Sequence, residues 1–142
     1  MTYEYTGFGS EVQLFNFLKK YLIPDLEKTK TYSRTDCYSK RDKLNIELKV
    51  RKRHYNELML EKKKYDAVIR ESNEKDMLPV YINATPYGIW AFYLLKIECD
   101  WIEKELPKTT YWNNNERVTK VVTFLNINQG IDLLSLVSLG KL

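Results

Sequence analysis

The amino-acid sequence predicts an α/β fold, a mixed sheet of four or five strands flanked by helices. Three observations lead there. Residues 43–51, KLNIELKVR, alternate strictly, with Leu44, Ile46, Leu48 and Val50 apolar and Asn45, Glu47, Lys49 and Arg51 polar or charged. That period of two marks a strand with one buried face. Val12, Phe15, Leu18 and Leu22 recur three or four residues apart, the spacing of a helix. LPVYINATPYGIWAFYLL reads as a hairpin whose turn is Thr85-Pro86-Tyr87-Gly88.

The elements follow in order. Gly9-Ser10-Glu11 opens a helix over about 9–22, and Pro24 closes it. TYSRTDCYSKRDKLNIELKVRK gives two strands around the polar turn Lys40-Arg41-Asp42-Lys43. The spacing of Leu58, Tyr65, Val68 and Ile69 predicts a second helix over about 55–71. After the 78–95 hairpin, ECDWIEKELP is compatible with a short helix and TTYWNNNE with a loop. RVTKVVTFLNI resumes as a strand, and GIDLLSLVSLGKL suits a C-terminal helix. The order α-β-β-α-β-β, then strand and helix, belongs to the α/β class. The expectation is one domain over 1–142, with a core at about 9–95 and an extension over 96–142.

Composition narrows the class of function. Of the 142 residues 44% are hydrophobic and 30% charged, an ordinary folded composition. The longest apolar run, 89–95, is too short to span a bilayer, so no membrane partner is expected. MTYEYTGFGSE lacks the basic and apolar regions of a secretory signal. Cys37 and Cys99 have no metal-site spacing and suggest a reducing, cytoplasmic setting. His54, the single histidine, cannot build a histidine-based zinc site alone. The net charge of +4 is mild, but residues 40–64 hold ten basic and four acidic side chains. Such clustering suits a phosphate-binding face, and equally a solvated strand and helix.

The register of the first hairpin decides the chemistry. A two-residue turn at Arg41-Asp42, or a four-residue loop over 40–43, opposes Ser39 to Leu44, Cys37 to Ile46 and Asp36 to Glu47. Opposed residues share a face of the sheet, so Asp36, Glu47 and Lys49 converge. A three-residue turn would flip the parity and separate the two carboxylates. Two facing carboxylates repel unless a positive charge lies between them. A divalent cation supplies that charge, and magnesium needs only one or two carboxylates beside its waters. It lowers the pKa of a bound water and neutralises charge on a phosphoryl oxygen. Lys49 can orient that water or stabilise the anionic transition state.

Asp36, ten intervening residues and then Glu47-Leu48-Lys49 on a strand, after a helix carrying Glu11, resemble the PD-(D/E)XK nuclease superfamily. The resemblance spans about 9–95. It implies a restriction-endonuclease-like core and a divalent-metal-dependent nuclease using Mg2+ or Mn2+, with DNA the favoured substrate. It implies Asp36, Glu47, the backbone carbonyl of Leu48 and Glu11 as metal ligands, with Lys49 as the catalytic lysine. Thr35 stands where many members have proline. Glu61 and Tyr65 stand where some members carry a Gln-x-x-x-Tyr motif.

Candidate nucleic-acid contacts are Arg34, Arg51, Lys63, Lys64 and Tyr65, with Lys108, Thr109, Thr110 and Lys120 as further backbone contacts. Arg34 shares the face of Asp36 by strand period, where an ion pair is equally plausible. Tyr38, Trp90 and Phe92 read as packing and His54 as a loop or capping residue. Trp101, Tyr111 and Trp112 suit an interface or a lid. Two other functions stay open, a nuclease-fold module that binds nucleic acid without cutting and a structural or protein-interaction domain. The apolar segment 131–139 either buries against the sheet or pairs two subunits in a homodimer.

Overall fold

In the computed structural model the described residues are 5–31, 33–107 and 116–138. Helix α1, Glu11–Tyr21, begins where the Ser10 side chain accepts the Gln13 amide and ends with Lys19 and Lys20 in its last turn. Both ends thus complement the helix dipole. Its buried face is Leu14, Phe15, Phe17 and Leu18.

The two-residue strand β1, Glu27–Lys28, pairs with β2, Cys37–Ser39, which pairs in turn with β3, Leu44–Val50. The register is the expected one for Cys37 opposite Ile46 and Ser39 opposite Leu44. The ladder ends there, and the expected Asp36–Glu47 pair is not part of it, because the Asp36 amide turns to the Ile46 carbonyl. A four-residue turn sets the register, its last residue Lys43 held at φ 55°. The Asp25 carboxylate braces the turn by accepting the Ser39 hydroxyl at 2.7 Å and the Arg41 amide at 3.0 Å.

Next the structure departs from the sequence reading. Residues 55–61 are not the start of a helix. Glu57–Glu61 is strand β4, and helix α2 occupies Lys62–Lys75. Leu58 and Leu60 are buried by period two, while Val68 and Ser72 are buried by helical period. Leucine, methionine and glutamate are good helix formers, so propensity alone continues the helix upstream. Pairing with a distant strand overrides it. That strand is β8, Arg117–Asn126, and it also pairs with β7, Ile102–Pro107, where a short helix was the sequence reading.

Strands β5, Leu78–Thr85, and β6, Gly88–Tyr93, form the expected hairpin. Gly88 is required by a close approach, since a Cβ there would lie 2.7 Å from the Trp90 indole. β5 is parallel to β3. After β8 the chain forms β9, Ile131–Asp132, on the edge of β6, and then helix α3, Leu133–Ser138.

The result is a six-stranded mixed sheet, ordered β1-β2-β3-β5-β6-β9, and a three-stranded antiparallel sheet, β4-β8-β7. The mixed α/β class is as predicted. The central sheet exceeds four or five strands because the two-residue strands β1 and β9 extend its edges. One face buries Leu14, Leu18, Ile46, Leu48, Ile82 and Val137 among others. The other buries Tyr81, Trp90 and Phe92 with Leu58, Val68 and Leu125. With both faces covered, β5 is buried at every position but its first.

Phe92, fully buried, is where the two sheets and α2 share one core. Phe92→Ala is expected to cost about 3–5 kcal/mol in urea denaturation, while Leu95→Ala, exposed two residues beyond β6, is expected to stay within about 0.5 kcal/mol.

Candidate active site

β2 stops pairing at Cys37 opposite Ile46, whereas β3 runs on to Val50. The edge of β3 beyond Ile46 therefore lacks a strand partner on that side, and Asp36 fills the gap with its side chain. The Asp36 amide donates to the Ile46 carbonyl at 3.0 Å, and its Oδ2 accepts the Leu48 amide at 2.7 Å. A residue's N–H and C=O leave a strand on the same side, so the Leu48 carbonyl faces the same open edge.

Glu47 lies beside Asp36, its side chain only 13% exposed. Burial first, and then the Asp36 charge and a carboxyl–carboxyl hydrogen bond to Asp36, push its pKa up to about 7. Lys64, in the first turn of α2, opposes this through an ion pair at 3.3 Å. Glu11 enters from the first turn of α1. Desolvation and then Asp36 raise it, while Lys49 and Lys64 pull it down. Asp36, Glu47, Lys49, Lys64 and Glu11 thus share one electrostatic neighbourhood.

The donor chemistry suits a hard divalent cation. Two crowded carboxylates, one with its proton affinity raised by burial and then by the other, gain from a positive charge placed between them. Among the described residues, no group of three or more Asp, Glu, His or Cys side chains is arranged to hold a metal ion. The geometry therefore gathers an Asp36–Glu47 pair beside the Leu48 carbonyl, with Glu11 an outlying charge.

A polar network that sequence reasoning missed holds Asp36 in place. Glu71 of α2 accepts the Arg34 amide at 2.7 Å and the Ser33 hydroxyl at 2.9 Å. The Thr35 hydroxyl lies 3.0 Å from Glu71 Oε2 and 2.9 Å from Asn45 Oδ1, and donates to one of them at a time. Asn45 donates to Ser72, which donates to the Val68 carbonyl. Burial alone would raise the Glu71 pKa, but these hydrogen bonds outweigh it and hold the carboxyl below its usual range. Thr35, the departure from proline, is buried and clamped to α2. One signal was legible, since Ser72 continues the inward helical period of Val68 with a polar residue.

Several candidates sit elsewhere than expected. Arg51, half-buried just past β3, donates to Asn83 Oδ1 at 2.9 Å and the Met59 carbonyl at 2.7 Å, so its guanidinium is spent on tying the end of β3 to β5 and β4. Tyr65 packs edge-on against Trp101 at 5.1 Å and belongs to the second core. Glu61 pairs with Lys120 at 2.7 Å, joining β4 to β8, which accounts for both. Lys64 faces Glu47. Lys63 and Arg34 are exposed. Lys63 lines a groove of about 700 Å³ between α2 and β8. His54 is a pinned loop residue, Trp90 and Phe92 are core, and Tyr38 bonds Glu27 at 2.7 Å. Lys108, Thr109, Thr110, Tyr111 and Trp112 lie outside the described residues.

The mixed sheet with helices on its faces and carboxylates at a strand edge is the restriction-endonuclease-like fold. Among solved structures, the chain is similar to Hjc of Archaeoglobus fulgidus, a Holliday junction resolvase from an archaeal hyperthermophile. Hjc is a member of the PD-(D/E)XK nuclease superfamily. The likeness has a TM-score of 0.58 at 13% identity and covers 91% of this chain and 97% of that one. At that identity the shared property is the fold, and it reaches beyond 9–95 into the C-terminal extension. No family model matches the chain, and no curated protein matches it significantly.

Two measurements test this geometry. The folded protein holds a proton on Glu47 more tightly than the unfolded chain, whose value is near 4.5. That stabilisation is complete below pH 4.5 and lost as pH rises through about 7, on the order of 2–4 kcal/mol. Metal-free protein should therefore lose stability over this window, and Glu47→Gln should flatten the curve. Glu71 has the opposite sign, since its lowered pKa gives stability above the unfolded value that is lost in acid. Glu71→Ala should cost about 1–3 kcal/mol at pH 7 and much less at pH 3 in thermal unfolding.

Proposed function

We propose that this chain is a divalent-metal-dependent nuclease that hydrolyses phosphodiester bonds in DNA, as an endonuclease or a structure-selective nuclease. The observation that carries the reading is the Asp36–Glu47 pair at the unpaired edge of β3. Asp36 is locked there by the Leu48 amide, and Glu47 is held near neutrality between burial and Lys64. Mg2+ or Mn2+, when bound, would polarise the scissile phosphate and lower the pKa of a water. Asp36, Glu47 and the Leu48 carbonyl would hold the ion, with Glu11 adding negative charge from α1.

The chain's own groups have distinct tasks. Lys49 shares the face of Glu47 by strand period and supplies a positive charge to developing phosphoryl oxygens. Without metal the Glu47 carboxyl has its pKa pushed up to about 7, so a cation that binds there would displace a proton and relieve the crowding with Asp36. The Asp36 carboxylate is oriented before any substrate arrives, which lowers the reorganisation cost of the reaction. Basic residues of the 40–64 window bring the phosphate backbone to this edge.

A second reading, binding without cutting, has one observation in its favour. Lys64 pairs with Glu47 at 3.3 Å and offers that carboxylate a positive partner other than a metal ion.

The test is cleavage of plasmid, linear duplex and four-way-junction DNA with and without Mg2+. Cutting should require the metal. Glu47→Ala should abolish it and weaken metal binding in calorimetry, whereas Lys49→Ala should stop cutting and leave metal binding largely intact. Binding with a steep salt dependence but no cutting under any condition selects the second reading. Neither binding nor cutting removes both.

A further inference from the structure

Beyond β3 the chain carries an aromatic stack that the proposed reaction does not use. His54 is pinned at both ring nitrogens, to Thr85 Oγ1 at 2.9 Å and to Asn56 Oδ1 at 3.0 Å. Its ring meets Trp90 at a tilt of 47°, 5.5 Å between centroids. Tyr87 also stacks on it, 4.6 Å between centroids at an interplanar angle of 25°. The Tyr87 amide donates to the same Thr85 hydroxyl at 3.1 Å, which fixes the turn that carries it. Yet Tyr87 is 76% exposed.

Core packing does not account for that placement. A tyrosine recruited to seal Trp90 would be buried, and His54 already packs against that ring. What remains is a flat ring on a rigid support, facing water. Tyrosine loses little conformational entropy when it binds, and the imidazole beneath it removes part of what is left. Lys52 and Arg53, both exposed, precede His54 in the chain and give the platform positive charge.

Its position relates it to the site. Lys49 lies beside Asn83 in the β3–β5 ladder, and Thr85 follows two residues later. That offset is about 7 Å along the strand, and the turn that carries Tyr87 follows Thr85 directly.

We propose that Tyr87 is a stacking platform for an unpaired nucleobase, with Lys52 and Arg53 gripping the adjoining phosphates. The substrate class is then DNA with a base freed from its stack near the cut, as at a bulge, flap or branch. This inference rests on the nucleic-acid reading above and deepens it. Within a fully paired duplex each base face is covered by its neighbours, so the platform discriminates by structure rather than sequence, as base–aromatic stacking does elsewhere.

The experiment uses two metal-free DNA probes, a duplex with one unpaired 2-aminopurine and the same duplex fully paired, with the wild-type chain, Tyr87→Phe and Tyr87→Ala. Circular dichroism confirms that the variants fold. Wild type and Tyr87→Phe should bind the unpaired probe more tightly and quench its fluorescence. Tyr87→Ala should lose the quenching and about tenfold or more in affinity for that probe, with paired-duplex affinity unchanged. If Tyr87→Ala fails to fold, Tyr87→Leu, which keeps apolar cover but no stacking face, should give the same loss. Wild-type quenching and affinity in the folded non-aromatic variant would overturn the platform and leave the nuclease reading intact. Wild-type protein that binds neither probe overturns the nucleic-acid reading, and the platform with it.

Discussion

An unpaired strand edge inside a folded protein is a chemical demand, because its amides and carbonyls must find partners or water. In this chain β3 outruns β2, and the first amide left over, that of Leu48, is satisfied by the Asp36 carboxylate. One hydrogen bond thereby ends a ladder, orients a carboxylate and leaves the neighbouring carbonyl open. The register that makes this possible depends on the four-residue turn after Ser39. A one-residue slip would turn Glu47 and Lys49 into the apolar core and Leu48 outward.

The same edge concentrates electrostatic tension. Asp36 and Glu47 are held together against their repulsion, Glu11 adds to it from α1, and Lys49 and Lys64 relieve part of it. The first turn of α2 shows a related compromise. It carries Lys62, Lys63 and Lys64 and no acidic residue, against the preference of a helix N-terminus for negative charge. Lys62 finds Asp66 one turn on, and Lys64 finds Glu47.

Support for the site comes from the covered face of the sheet. α2 lies over β3 and reaches back with Glu71 to hold Ser33, Arg34 and Thr35, the residues leading into Asp36. Beneath it, Asn45 and Ser72 are fully buried and spend their polar atoms on each other and on this network. A segment with little regular structure is thereby held in place by hydrogen bonds from its side chains and the Arg34 amide.

Local pattern determined much of this. Period-two alternation located β3, helical spacing located α1, and turn chemistry located both hairpins, because each is set by residues a few positions apart. From these came the pairing of Cys37 with Ile46 and the side-by-side placement of Asp36 and Glu47. Other features depended on distant partners. Residues 57–61 favour a helix by composition and become β4 only because β8 supplies a ladder. Arg51 looks like a free surface cation in sequence and is half-buried because Asn83 and the Met59 carbonyl await its guanidinium. The Glu71 clamp joins residues about forty positions apart, and the Tyr87–His54 stack joins a hairpin turn to a loop. Propensity and periodicity act over one or two turns of chain, whereas these contacts exist only after non-adjacent elements have been brought together, so tertiary structure alone decided them.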